Sequence, residues 1–77
     1  MVSPEADAVL GEVRAEMARQ RRRQIDIAKA TGMSEVKLSR KLNGRSHFTL
    51  GELDAVCRTL DVSLADLIRR AENRGTA

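Results

Sequence analysis

Aromatic residues are almost absent: one Phe, no Trp and no Tyr in 77 residues, alongside one Cys, one Pro and one His. The lone Cys57 cannot close a disulfide within the chain, which excludes a stapled secreted scaffold. His47 has no Cys or His at metal-ligand spacing, so no zinc site is expected and no cofactor is implied. The longest apolar stretches are a few residues, too short for a membrane span or a signal-peptide core. The length allows one domain, residues 1–77 with an ordered core over about 4–72. A domain of this size buries only roughly 60% of its unfolded surface and leaves little room for an enclosed substrate pocket. No nucleophile–base pair is present, so the chain is not expected to be an enzyme. With Met1 at its start it reads as a complete, soluble, intracellular chain.

What the sequence does contain is charge, unevenly placed. The formal net charge is +3 and the pI about 9.8. Residues 19–47 hold nine basic residues (Arg19, Arg21, Arg22, Arg23, Lys29, Lys37, Arg40, Lys41, Arg45) against Asp26 and Glu35, a local net charge of +7; the remainder carries −4. Such polarisation is the footprint of a polyanion partner, although a solvated basic face would look the same from charge alone.

Punctuation along the chain divides it into five helices. Ser3-Pro4 opens the first, with Ser as N-cap, Pro at the first helical position, and Glu5 and Asp7 where the helix dipole favours anions. Val9, Leu10, Val13 and Met17 then mark one apolar face over about 5–20. Ile25, Ile27 and Ala28 mark a second helix, about 24–30, stopped at Thr31-Gly32. Ser34 caps a third, about 35–43, with Leu38 and Leu42 inward and Asn43-Gly44 as its stop. Thr49-Leu50-Gly51-Glu52 has the capping-box form and starts a fourth helix, about 50–60, with Leu53, Val56, Cys57 and Leu60 inward. Asp61-Val62 is a turn. Ser63 caps a fifth helix, about 64–72, with Leu64, Leu67 and Ile68 inward, and the tail from Asn73 is expected to fray. The expected fold class is therefore all-α, five short helices around one core. Cys57 reads as a small core residue. Glu12 and Glu16 share a face of the outer first helix, where no cleft perturbs them, and are expected to pair with nearby arginines.

The second and third helices, joined through Gly32-Met33, carry a helix-turn-helix pattern over about 24–43. Gln24 opens the first of the pair, Ala28 is small where the helices approach, Gly32 turns, Ser34 caps, and Leu38 and Leu42 anchor. This arrangement resembles the lambda-repressor-like family (the Cro/repressor or XRE helix-turn-helix proteins), and the likeness extends over about residues 9–70. Three positions depart from it: Arg23 stands where a small capping residue is usual, Lys41 where an apolar one is common, and Ser46-His47-Phe48 where Pro is often found. Phe48 reads as a plug closing the loop onto the core, with stacking on a base as the alternative.

The resemblance implies a sequence-specific regulator that binds double-stranded DNA at an operator, most simply a phage or prophage-type repressor in the bacterial cytoplasm or nucleoid. The third helix would enter the major groove. Its outward residues Glu35, Val36, Lys37, Ser39, Arg40 and Asn43 are the candidate base readers: Lys37 and Arg40 can donate to guanine, Glu35 can accept from cytosine, and Val36 can touch a thymine methyl. A solvated helix face would carry the same residues. Arg21, Arg22, Arg23, Gln24, Ser34, Arg45, Ser46, His47 and Thr49 are the candidate phosphate contacts. Neither a membrane nor a small-molecule effector is expected, and the chain would act as a monomer or a weak homodimer on DNA. A protein-interaction module or antitoxin-type component could use the same fold.

Overall fold

A computed structural model describes the backbone of residues 4–75 and the side chains of residues 7–73. Five helices account for its regular structure: α1 (Pro4–Arg19), α2 (Gln24–Thr31), α3 (Glu35–Leu42), α4 (Leu50–Thr59) and α5 (Leu64–Gly75). Ser3, expected as the first N-cap, lies outside the described residues. Helix α5 continues through Asn73 where fraying was expected, because Ala71 in its last turns is buried against the core.

Helices α1 and α5 pack along one another, while α2 lies against both α3 and α4. Between them Val13, Met17, Ile27, Ala28, Leu38, Leu42, Val56, Cys57, Leu60 and Leu67 form one continuous core. Removing each large aliphatic side chain of this set from water contributes about 1.5–3 kcal/mol. Phe48 sits half-buried against the core from the α3–α4 link, as the plug reading expected. Ile68, expected inward, instead remains 39% exposed.

Three helices end in the same way. At α1, the amide of Arg22 donates to Met17 O (2.9 Å) and that of Arg21 to Ala18 O (3.1 Å), with Arg21 left-handed at φ 55. At α3, Arg45 donates to Arg40 O and Gly44 to Lys41 O; at α4, Val62 donates to Cys57 O and Asp61 to Arg58 O. Gly44 and Asp61 hold the matching left-handed position, at φ 76 and φ 58. This six-to-one, five-to-two pairing satisfies carbonyls that the helix leaves unpaired.

Polar contacts tie the helices together. The Glu16 carboxylate accepts from Gln20 Nε2 (2.9 Å) and from Arg70 Nη1 on α5 (3.1 Å), and Arg19 pairs with it as well. Gln20 Nε2 also donates to Leu60 O at the end of α4. The expected pairing with arginines holds for Glu16, but its setting differs from expectation. Glu16 and Glu12 are buried, because α5 covers the face of α1 that was taken as outer.

Candidate nucleic-acid interface

The turn between α2 and α3 depends on Gly32, which is left-handed at φ 76 directly after Thr31. Nothing lies within 4 Å of where a Cβ would stand there, so the backbone angle, not space, selects glycine. Ser34 then caps α3 by accepting from the Lys37 amide at 3.1 Å. Leu38 and Leu42 are fully buried and seat the helix. The opposite face is open: Glu35, Lys37 and Arg40 are exposed and Val36 is 71% exposed. Ser39 is half-buried, which sets it back from these four. Asn43 is exposed and forms the C-cap, the helix itself ending at Leu42.

The basic link from α1 to α2 presents Arg21 and Arg23 to solvent, whereas Arg22 and Gln24 are half-buried. Arg23 occupies the N-cap of α2 with extended backbone. Its guanidinium has no acceptor and cannot cap, so the first turn is closed from the other side. Asp26 accepts from the Arg23 amide at 3.1 Å and faces its guanidinium at 3.6 Å. The backbone hydrogen bond from Arg23, joined by the charges of Arg23 and Arg22, holds the Asp26 carboxyl below its usual range.

Between α3 and α4, Arg45, Ser46, His47 and Thr49 are all exposed. Thr49 and Glu52 form the expected capping box: Thr49 Oγ1 accepts from the Glu52 amide (3.1 Å) and the Glu52 carboxylate accepts from the Thr49 amide (2.9 Å). Lys41, the residue that stands where an apolar one is common, is only 6% exposed. Its ammonium pairs with the same Glu52 oxygen and stands 5.9 Å from the centre of the Phe48 ring. The hydrogen bond from Lys41 is the largest influence lowering the Glu52 pKa, followed by that from the Thr49 amide. The signal for this pair lay in the spacing: Leu38, Lys41 and Leu42 follow i, i+3, i+4, one inward stripe. Arg14 from α1 donates to Leu42 O and fastens the same end of α3.

Among the described residues no group of three or more His, Cys, Asp or Glu could hold a metal ion. Cys57 is fully buried, as expected, and burial pushes its thiol up to about 11, so it stays protonated near neutral pH. No helix among the described residues is long and apolar enough to cross a membrane.

An anchored helix with an open polar face, set behind a glycine turn and flanked by basic links, defines a helix-turn-helix DNA-binding domain. The model of the Cro/C1-type HTH DNA-binding domain matches residues 12–72, and the chain belongs to that family. No curated protein and no solved structure matches it.

Proposed function

We propose that this DNA-binding domain is a transcriptional regulator of the phage or prophage repressor type, which occupies an operator and blocks polymerase. The observation that carries the reading is the face of α3: Glu35, Val36, Lys37 and Arg40 project from a helix whose other side is locked by Leu38 and Leu42. In this reading Ser39 and Asn43 lie at the edge of the base contacts. Arg21, Arg23, Arg45, Ser46, His47 and Thr49 meet phosphates, with Arg22, Gln24 and Ser34 in support. The protein works in the cytoplasm as a monomer or a weak homodimer on DNA. It needs no small-molecule effector, so its occupancy follows its concentration.

The test is fluorescence anisotropy with duplexes tiled across the region upstream of the gene, against a shuffled control, at two salt concentrations. Tight binding to one tile above the control at the higher salt supports the regulator and yields its operator. Equal, salt-sensitive binding to every duplex overturns sequence reading by α3. A second reading, a module that binds a protein, is favoured by an open groove of about 200 Å³ lined by Val9, Leu10, Phe48, Leu53 and Leu64, beside exposed Leu50 and Ile68. Absence of binding to any duplex would favour it.

A further inference from the structure

A phosphate approaching the start of α4 meets a difficulty. The first-turn amides of a helix and its dipole attract an anion. Gly51 adds no side chain to that turn, and nothing lies within 4 Å of where its Cβ would stand. Yet the capping box places the Glu52 carboxylate on the Thr49 amide, a negative charge where the phosphate would come. The start of α2 has the same arrangement, Asp26 on the Arg23 amide, and there the N-cap guanidinium sits beside the carboxylate. At α4 the N-cap is Thr49, which carries no charge. The cation comes instead from α3: Lys41 reaches Glu52 from 11 residues away, with its side chain 8% exposed and that of Glu52 27% exposed.

We propose that Lys41 is a positioning residue for DNA binding: without touching DNA, it cancels the charge of the capping carboxylate and so lets the N-terminus of α4 accept a phosphate. The pair also fixes the end of α3 to the start of α4, so the helix that reads bases and the turn that grips the backbone are set by one contact. Loss of the pair then has opposite effects according to which partner is removed. Lys41→Met leaves Glu52 facing the phosphate uncompensated and weakens binding to every duplex. Glu52→Gln keeps an oxygen acceptor for the Thr49 amide, removes the repulsion and tightens binding. A purely structural tie would weaken binding in both.

This inference rests on the reading that Thr49 and its helix start meet a phosphate, and the experiment separates the two. Affinity for a bound duplex is measured by anisotropy for the full chain, Lys41→Met, Glu52→Gln, the double variant, and Asp54→Asn. Asp54 pairs with exposed Arg58 further along α4 and gives the same change in net charge away from the helix start. Circular dichroism confirms that each variant is folded at the assay temperature. The expected results are a loss of about five- to tenfold for Lys41→Met and a gain of about threefold or more for Glu52→Gln, the scale of one charge acting through partly screened space. The double variant, which buries no unpaired charge, returns to within about twofold of the parent, and Asp54→Asn gains less than Glu52→Gln. Weakening by Glu52→Gln, or an equal gain from Asp54→Asn, overturns the proposal while leaving DNA binding intact. If the parent chain binds no duplex, the DNA reading itself falls.

Discussion

Arg70 donates to Glu16 across 3.1 Å, joining α5 to α1 between residues 54 apart in the chain. Glu16 is buried and Arg70 is half in solvent, so the carboxylate is the partner that depends on the contact. The hydrogen bond from Gln20, opposed by burial and reinforced by Arg70 and Arg19, lowers the Glu16 pKa.

A lowered folded-state pKa means that Glu16 stabilises the fold above the ordinary carboxylate range and that this contribution is lost as pH falls through the folded value. Glu16→Gln should therefore destabilise the protein by about 1–2 kcal/mol at pH 7, the scale of charge-assisted hydrogen bonds weakened to neutral ones. Urea titrations at pH 7, 5 and 3 check this: the gap between parent and variant should close toward pH 3. A gap that is constant with pH would mean the charge of Glu16 is irrelevant.

Arg21 and Asp61 occupy the left-handed region that Gly44 fills at the end of α3. Relief of that conformation, partly offset by the freer unfolded glycine chain, should make Arg21→Gly and Asp61→Gly each more stable by about 0.5–1 kcal/mol. Thermal denaturation would show both rises. In anisotropy the two should part company, Arg21→Gly losing affinity for all duplexes and Asp61→Gly keeping it.

Arg40 and Arg45 lie five residues apart and are predicted to fail differently. Arg40→Ala should flatten base preference at one operator position, with about 1–3 kcal/mol of discrimination lost. Arg45→Ala should weaken specific and shuffled duplexes alike and reduce the slope of log affinity against log salt by about one. Anisotropy with single-base-substituted duplexes over a salt series distinguishes the two patterns. Unchanged base preference in Arg40→Ala would remove it from the readers.

Cys57 is fully buried with its thiol raised to about 11. A thiol reagent added to native protein at pH 7 should react only as fast as the chain opens, and at once in urea. Rapid labelling of the native state would place Cys57 at an accessible surface.

Much of the fold was legible because its signals are local. Ser34 caps α3, Thr49 and Glu52 form their box, and Gly32 and Gly44 stop the two helices they follow, each as the sequence suggested and each within a few residues of its partner. Glu35, Val36, Lys37 and Arg40 emerge exposed for the same reason: the positions of Leu38 and Leu42 determine which way the rest of a short helix faces. What escaped depends on distant chain. The burial of Glu12 and Glu16 needs α5 laid over α1, and the course of α5 beyond residue 72 needs Ala71 against the core. Lys41 escaped because its type argued for solvent while its spacing argued for the interior, and the deciding partner, Glu52, lies on another helix. The half-burial of Ser39 and Arg22 likewise has no local mark in the sequence.

The exposed side of α3 is independent of everything that holds the protein together. Val36 stands 71% in solvent, and Glu35, Lys37 and Arg40 are exposed beside it, while Leu38 and Leu42 seat the helix without them. Exchanges at such positions usually change stability by no more than about 0.5 kcal/mol. Descendants of this chain could therefore drift to new target sites one residue at a time, each intermediate still folding, so that recognition can diversify faster than architecture.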